Sequence, residues 1–427
     1  MPSRRTYLRT CLGAGLAGVA GCLTDSGTTT PATETDASTG TTTDAPTATA
    51  TPVPAAGEIA WRESLGGTVE HRPAIGTDRL FAGTESGTVV ALSRDGGVSQ
   101  WTTGTDAPIQ DAPVVADESV LAVSGQTALH EHHTVVAFAA GDGTEQWRFE
   151  PDDWWLGIVG VSDGTAFVAS TDDHLQSDGQ TLYALSLADG TKEWSVEIGD
   201  NRGGFVAGDT IYIPVFRRLY AVGTDGTTKW TYDIPEYQFN TLAVVGETVA
   251  LVSAEDFEQP VVHGIDATTG EQRFTFAPEW RAYTTHAVDD SLIVGGGEKI
   301  ARLDPETGET EWIADLPMAL YDAPVVDGTM YVSSRTAAAV SVESGDVVWT
   351  TDLDVEFARP VGVTGETLLL HKSAGDEDRN RHVVALDRAT GDRRWEFAGD
   401  AELTTPALGT DRLYFGEESE IGALKLS

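Results

Sequence analysis

Eight times in this 427-residue chain a glycine stands four residues ahead of an aromatic residue, at the end of a run typical of a β-hairpin. The aromatic residues follow one another at intervals of 36 to 47 residues, a period that belongs to repeated supersecondary units. They are Trp101, Trp147, Trp194, Trp230, Phe274, Trp312, Trp349 and Trp395. Such regularity is what packing between sheets requires, so we assign these rings to the core rather than to a catalytic or ligand-stacking role.

Each period contains three β-like runs before the glycine and one after it, joined by Asp-Gly, Thr-Gly and Gly-Asp pairs. This pattern predicts four-stranded meanders in which the glycine supplies a positive φ at the last hairpin corner. The ends of the array complement each other, because Trp61, with Gly57 four residues before it, follows no strand, whereas the C-terminus supplies three strands. We therefore expect an all-β fold over residues 57–427, a single closed β-propeller whose N-terminal strand completes the last blade.

The repeated motif is seen most fully in ALDRATGDRRW, residues 385–395. It resembles the pyrroloquinoline quinone (PQQ) repeat of quinoprotein dehydrogenases and of BamB-type lipoproteins, and the resemblance covers nearly all of residues 57–427. It implies a propeller of four-stranded blades. Those families usually have eight blades, whereas eight complete units and one split unit count to nine here.

The chain carries 27 basic and 67 acidic residues, a net charge of −40. No basic patch is available for a phosphate backbone, so we expect no nucleic-acid partner. Near 1 M salt the Debye length falls to about 3 Å, which largely screens such self-repulsion. The composition resembles that of proteins from salt-loving archaea, and we interpret the acidity as an adaptation of the whole surface.

Residues 1–22 are typical of an export signal. Arg4 and Arg5 precede an apolar stretch that is too short to span a bilayer, an arrangement that resembles a twin-arginine (Tat) signal. Residues 19–22, Val-Ala-Gly-Cys, match a lipobox, which predicts lipid modification of Cys22. The alternative is a plain signal peptide with a chance cysteine. Cys11 lies within the signal, so no disulfide or thiol nucleophile is expected in the folded body.

Residues 23–56 contain thirteen threonines and four prolines, without an aromatic residue, lysine or arginine. This composition predicts a disordered tether, with an end-to-end distance of roughly 30 to 35 Å. We expect an extracytoplasmic protein that is anchored to the membrane through the lipid on Cys22.

In a four-stranded propeller, the connections from second to third strand share a face with those from the fourth strand to the next blade. Long insertions fall in the first kind of connection, at residues 125–133, 171–179, 254–260 and 373–382. The second kind is rich in aromatic and arginine side chains, which are enriched at binding hot spots. The predicted partner or ligand face contains Trp154, Trp155, Tyr237, Phe239, Trp280, Arg281, Tyr283, Tyr321, Phe357 and Arg359. The alternative is that some of these rings pack beneath the first strand.

A metal site is a weaker hypothesis. In an extended segment His130 and His132 would project on the same side, roughly 6.5 to 7 Å apart. His174 comes from the equivalent connection of the neighbouring blade. The alternative is a solvated polar loop. Acidic loops such as residues 376–378 could hold calcium, although such clusters arise by chance in so acidic a chain.

The resemblance to quinoprotein dehydrogenases implies PQQ with calcium, held by Glu, Asn and Asp ligands and commonly covered by a vicinal disulfide. That disulfide is impossible here, and the only asparagines, Asn201, Asn240 and Asn380, do not match the calcium-ligand context. We expect no cofactor and a monomeric, non-catalytic binding or scaffold module for a protein partner. The alternatives are a PQQ- and calcium-dependent dehydrogenase, and a propeller that binds a glycan or peptide in its central funnel.

Overall fold

A computed structural model describes residues 56–126, 132–152, 155–171, 180–199, 203–215, 217–234, 238–255, 258–297, 299–316, 323–355, 357–373 and 382–426. Within these residues the strands form nine four-stranded antiparallel sheets, arranged as the blades of one propeller ring. The motif count of nine is therefore confirmed, and the eight blades implied by the resemblance do not apply. None of the described residues forms a helix that is long and apolar enough to span a membrane.

The blades are numbered along the chain, and each runs from its inner to its outer strand. Blade 1 comprises β2 (Ala74–Ile75), β3 (Arg79–Gly83), β4 (Thr88–Ser93) and β5 (Ser99–Gly104), and blade 2 comprises β6 (Val114–Ala116), β7 (Ser119–Ser124), β8 (Thr134–Ala139) and β9 (Glu145–Phe149). Blade 3 comprises β10 (Trp155–Ser162), β11 (Thr165–Thr171), β12 (Gln180–Ser186) and β13 (Lys192–Ile198), and blade 4 comprises β14 (Phe205–Ala207), β15 (Thr210–Val215), β16 (Arg218–Gly223) and β17 (Thr228–Asp233).

The second half of the ring repeats this order. Blade 5 comprises β18 (Gln238–Val245), β19 (Thr248–Glu255), β20 (Glu258–Asp266) and β21 (Gln272–Phe276), and blade 6 comprises β22 (Ala282–Val288), β23 (Ser291–Gly296), β24 (Lys299–Leu303) and β25 (Thr310–Asp315). Blade 7 comprises β26 (Val325–Val326), β27 (Thr329–Ser333), β28 (Thr336–Ser341) and β29 (Val347–Asp352), and blade 8 comprises β30 (Phe357–Thr364), β31 (Thr367–Ser373), β32 (His382–Asp387) and β33 (Arg393–Ala398).

Blade 9 joins the two ends of the chain, as the sequence predicts. Its inner three strands are β34 (Ala407–Leu408), β35 (Arg412–Glu417) and β36 (Glu420–Lys425), and its outer strand is β1 (Ile59–Ser64). Arg62 on β1 forms ion pairs with Glu420 and with the buried carboxylate of Glu417, and its guanidinium lies 5.6 Å from the centre of the Phe415 ring. The N-terminal strand is thus held by ion pairs as well as by its backbone hydrogen bonds to β36.

The core lies between the blades. Nine clusters of buried apolar side chains occur, one between each pair of neighbouring sheets, including the pair that joins blade 9 to blade 1. Because each cluster takes residues from two sheets, a blade cannot bury its apolar faces without both neighbours. Ring closure therefore supplies one of the nine clusters, the one between blade 9 and blade 1.

The repeated glycine packs on an aromatic ring of the preceding blade. Each of these glycines has a positive φ, which confirms the predicted hairpin corner, and a Cβ atom there would lie under 3.0 Å from the ring. The pairs are Gly97 on Trp61, Gly143 on Trp101, Gly190 on Trp147, Gly226 on Trp194, Gly270 on Trp230, Gly308 on Phe274, Gly345 on Trp312, Gly391 on Trp349 and Gly57 on Trp395. The glycine thus meets a conformational and a steric requirement at once.

The indole N–H groups also cross to the next blade. Seven tryptophans donate to a backbone carbonyl of the following hairpin corner at 2.8 to 3.1 Å: Trp61, Trp101, Trp147, Trp194, Trp230, Trp312 and Trp349. Phe274 has no N–H, and the corresponding carbonyl of Pro305 accepts instead from the Thr248 hydroxyl, at 2.7 Å. The hydrogen bond between these blades is kept although its donor has moved to another strand.

One predicted loop is wrong in part. Residues 254–260 were expected to form an insertion between strands, but β19 and β20 extend through most of them, with Glu255 paired to Glu258. Ala254 and Pro260 are buried, so the hairpin is lengthened by residues that pack. The mostly polar residues between Ala254 and Pro260 interrupt the apolar pattern in the sequence, so the continuation of the strands was not predicted.

We predict that Gly190→Ala destabilises the ring more than Gly164→Ala. Gly190 and Gly164 have positive φ angles of +70° and +77°. Alanine is strained in this conformation, which should lower the free energy of unfolding by about 1 kcal/mol at either position. At Gly190 the new Cβ would also lie 2.7 Å from Trp147, whereas nothing lies within 4 Å at Gly164. Displacing the ring should add about 2 kcal/mol. Denaturant unfolding at one fixed salt concentration measures both variants, and equal losses would contradict the steric role.

We also predict that Arg62→Ala lowers the free energy of unfolding by about 3 kcal/mol, because it leaves the buried Glu417 carboxylate without its counter-charge. Adding Glu417→Gln should recover part of the loss. The control is Lys299→Ala, which removes an exposed ion pair with Asp315 and should change the free energy by less than about 1 kcal/mol. An equal effect of the two single substitutions would refute the closing role of Arg62.

Candidate functional site

The strand order gives the propeller two different faces. The connections from second to third strand, and from each blade to the next, lie on one side, which we call the insertion face. The turns from first to second strand, and the glycine corners, lie on the other side, which we call the turn face. Seven residues of the predicted partner face are described, and all seven belong to connections or strand ends on the insertion face: Trp155, Phe239, Trp280, Arg281, Tyr283, Phe357 and Arg359.

The turn face is acidic. An exposed carboxylate occurs in each of the nine turns from first to second strand: Asp78, Asp117, Asp163, Asp209, Glu247, Asp289, Asp327, Glu366 and Asp411. Four of these aspartates have φ between 47° and 52°, a backbone conformation that Asp tolerates better than most residues. Turn geometry therefore accounts for part of the acidity.

A groove of about 440 Å³ opens on the turn face between blades 1 and 2. Phe81 and Val115 contribute apolar surface to it, and its polar lining includes Arg79, Asp117 and Asp142. The Arg79 guanidinium already lies 3.6 Å from the Asp78 carboxylate. The groove holds no group of side chains that would perform a reaction.

Hydroxyl side chains fasten the connections of the insertion face. The Ser124 hydroxyl, at the end of β7, donates to the Ala107 carbonyl at 2.8 Å, and the Ser333 hydroxyl, at the end of β27, donates to the Ala358 carbonyl at 3.0 Å. Both serines are buried. Nearby, burial raises the pKa of Asp111 to about 6, although its side chain accepts a hydrogen bond from the Ala112 N–H. These bonds give the face a rigid base.

Trp155 begins β10 and is half-buried. Its ring centre lies 4.9 Å from that of His133, the buried last residue of the 125–133 insertion. His133 Nδ1 accepts from the Leu156 N–H at 3.4 Å, and Nε2 lies 3.3 Å from the Gln126 carbonyl, so Nε2 carries the proton. Burial lowers the pKa of His133 and keeps this contact uncharged.

Trp280, Arg281 and Tyr283 lie together at the start of β22. Trp280 is half-buried against the cluster between blades 5 and 6, so it has in part the packing role that the sequence analysis gave as the alternative. Arg281 is exposed. The Arg281 carbonyl accepts from the Gly297 N–H at 3.1 Å, and a Cβ at Gly296 would overlap that carbonyl. A glycine pair at the end of β23 thus permits the close approach that positions Arg281.

Phe357 and Arg359 form a second pair at the start of β30, where both are half-buried. The Arg359 guanidinium lies 5.2 Å from the centre of the Phe357 ring, within the range of a cation–π contact. In the ladder Arg359 is directly opposite His371. Blades 3, 6 and 8 therefore each place an aromatic ring at the insertion-face end of the inner strand.

Several predicted residues lie outside the described residues: Arg4, Arg5, Cys22, His130, Trp154, His174, Tyr237 and Tyr321. Phe239 is described only through its backbone in β18. Of the predicted metal ligands only His132 is described, as an exposed residue ahead of β8. The metal hypothesis therefore stays a prediction.

A hydrogen-bond network that the sequence analysis missed runs from buried Ser253 and His263 to the exposed Gln272 and links blades 4 and 5. The Tyr232 hydroxyl donates to Gln272 Oε1 at 2.8 Å and lies 2.9 Å from His263 Nδ1, while the Ser253 hydroxyl lies 2.7 Å from Nε2. The tyrosine proton is already used, so Nδ1 donates to Tyr232 and Nε2 accepts from Ser253. Ser253 is buried and is no accessible nucleophile. The only sign of this network in the sequence is that His263 interrupts an apolar strand run.

A PQQ–calcium site would require a group of metal-ligating side chains. Among the described residues, no three His, Cys, Asp or Glu side chains converge to hold a metal ion. The only cysteines are Cys11 and Cys22, so the body has no cysteines to form a vicinal disulfide. The expectation that the protein binds no cofactor stays a prediction.

A family model described as outer membrane protein assembly factor BamB matches residues 50–150, 131–201, 178–319 and 296–427. These matches together span the whole propeller. The chain belongs to the BamB family. The nine-bladed ring is therefore a family propeller with one blade more than the resemblance implies.

Solved structures support the fold of this BamB-family propeller. BamB from Moraxella catarrhalis is 16% identical with a TM-score of 0.51, covering 74% of this chain and 94% of that one. The quinohemoprotein alcohol dehydrogenase ADHIIG from Pseudomonas putida HK5 is 11% identical with a TM-score of 0.55, covering 86% and 76%. The computationally designed protein Ika8 is 11% identical with a TM-score of 0.52, covering 86% and 100%. At these identities the likeness extends to the fold alone.

A curated relative, the serine/threonine-protein kinase AfsK of Streptomyces coelicolor, is 28% identical over 180 residues. The match covers 41% of this chain and only 21% of the kinase. The chain thus spans about a fifth of the length of that relative.

We predict that His263 makes stability depend on pH. Burial lowers its pKa from 6.5 to about 4, so the unfolded state binds more protons between these values and stability falls as the pH falls through this range. The loss from this residue should reach roughly 3 kcal/mol. His263→Gln should be less stable at neutral pH, with a shallower fall towards pH 4, as measured by denaturant unfolding. Parallel pH curves for both proteins would contradict this.

Proposed function

We propose that the protein is a non-catalytic binding module that engages a protein partner through its insertion face. The observation that carries this proposal is the contrast between the two faces. The insertion face presents half-buried aromatic rings at Trp155, Trp280 and Phe357 together with Arg281 and Arg359, a composition enriched at protein interfaces. The turn face presents a ring of carboxylates. Membership in the BamB family agrees with a binding role.

We also propose that the propeller is anchored outside the cytoplasmic membrane through a lipid on Cys22, after export guided by Arg4 and Arg5. Support comes from the lipobox at residues 19–22 and from the point at which the chain enters blade 9. The Gly57 N–H donates to the Lys425 carbonyl at 2.7 Å, at the turn-face end of blade 9. A tether that joins the propeller at this point would attach to the turn face and leave the insertion face open to partners.

The assembly role in the family description belongs to an outer membrane. The composition resembles that of salt-loving archaea, so we limit the proposal to protein binding and do not extend it to that assembly.

We predict that Trp155→Ala and Phe357→Ala reduce capture of the native partner at least about five-fold, because each removes part of a proposed hot spot. The full-length protein is purified from its own membranes in high salt, and copurifying proteins are identified and quantified by mass spectrometry. Glu366→Gln on the turn face is the matched control and should leave capture unchanged. Equal capture by all variants would count against the insertion face, and global unfolding of the tryptophan variant would assign Trp155 to the core.

The dehydrogenase alternative is tested separately. Purified protein supplied with PQQ, calcium and an alcohol or sugar should reduce no redox dye. Turnover under these conditions would overturn the non-catalytic proposal.

A further inference from the structure

Two exposed arginines of the insertion face form no ion pair among the residues that the structure describes. Arg281 precedes β22 in blade 6, and Arg335 lies in the turn between β27 and β28 in blade 7. Other arginines in this part of the chain have acidic partners: Arg62, Arg79, Arg148, Arg218, Arg273, Arg302, Arg388, Arg393, Arg394 and Arg412. In a chain with 67 acidic and 27 basic residues, most guanidinium groups can find a carboxylate, so the exposed Arg281 and Arg335 stand out.

Both arginines have a fixed backbone. The Arg281 carbonyl is held by Gly297, as described above. The Arg335 carbonyl accepts from the Leu353 N–H at 3.1 Å, and the neighbouring Ser334 carbonyl accepts from the Ala358 N–H at 2.9 Å. These bonds tie the blade 7 turn to the connection that enters blade 8. The backbone at each arginine is therefore already ordered, so binding would have to order only the side chains.

We infer that Arg281 and Arg335 bind carboxylates of an acidic polypeptide segment on the partner. This inference rests on the proposed function and names the chemistry of the partner. A guanidinium presents paired N–H donors that match a carboxylate in bidentate geometry. The two arginines lie on the same face of adjacent blades, so a single segment crossing from blade 6 to blade 7 would meet both.

The surroundings of Arg281 favour a polypeptide over an acidic glycan. Trp280 is packed against the cluster between blades 5 and 6 and is only partly accessible. Tyr283 is also half-buried. A sugar ring stacks on an open aromatic face, whereas the side chains of a peptide pack well against the edge of a half-buried ring beside an arginine.

Acidic neighbours restrict the interaction to short range. Glu279 precedes Trp280, and Asp352 and Asp354 lie in the connection that contacts the Arg335 turn, yet none of them pairs with either guanidinium. Their field would repel an acidic segment at a distance. Near 1 M salt this repulsion is screened beyond about 3 Å, while a direct guanidinium–carboxylate contact persists. Binding should therefore be retained in high salt.

The test uses the full-length protein and a fluorescein-labelled 12-residue peptide of alternating glutamate and tyrosine, with binding followed by fluorescence anisotropy in high salt. Arg281→Ala and Arg335→Ala should each raise the dissociation constant about ten-fold. The matched control is Arg218→Ala, an exposed arginine on the same face whose guanidinium lies 2.6 Å from Asp233. It should change the constant by less than about two-fold. All three variants should unfold at the same denaturant concentration.

Three outcomes overturn the inference: no binding of the peptide to the unaltered protein, an equal loss in Arg218→Ala, or stronger binding of an oligogalacturonate than of the peptide. The native-membrane capture separates this inference from the proposed function. If the double variant Arg281→Ala/Arg335→Ala still captures the partner while Trp155→Ala does not, the carboxylate inference fails and the insertion-face proposal stands. If Trp155→Ala and Phe357→Ala also capture it normally, both fail.

Discussion

The contact on which the ring depends is the packing of one blade's aromatic residue against the next blade's glycine. The ring of Trp147 fits beside Gly190 only because that position has no side chain, and its N–H is satisfied by the Leu187 carbonyl of the same corner. The tryptophan side chain thus fills the space between two sheets and fixes their separation, and its buried indole N–H has a hydrogen-bond acceptor. Because each contact joins successive blades, the last blade needs the first, and Gly57 must return to Trp395.

The glycine–aromatic contact could be predicted from the sequence only in part. The hairpin corner, the nine units and the closing strand follow from local spacing, since a glycine at a fixed distance from an aromatic residue is visible along the chain. The partner of each glycine is not visible, because it lies in the preceding unit. The Thr248 hydroxyl that replaces an indole donor beside Phe274 was hidden for the same reason. The His263 network likewise joins Tyr232, Ser253 and His263 from three strands, so no local pattern could reveal it.

The candidate site was predicted at the level of a face and only partly at the level of residues. Strand order alone decides which connections share a side, so Trp155, Arg281 and Phe357 could be placed there from the sequence. The burial of Trp280 and the support of Arg281 by Gly297 depend on how closely the start of β22 approaches the end of β23. The two faces differ for a physical reason. Short turns at positive φ favour aspartate and glycine, whereas the longer connections are free to vary.

Charge then limits how such a face can recognise a partner. A surface with a net charge of −40 requires high salt to suppress its own repulsion, and the same salt removes long-range attraction. Recognition must therefore come from groups in direct contact, such as apolar rings that leave water and ion pairs that form at bonding distance. The half-buried aromatic residues of the insertion face meet the first condition. Arg281 and Arg335 meet the second, because their guanidinium groups have no carboxylate partner among the described residues, whereas the ten arginines named above are already paired.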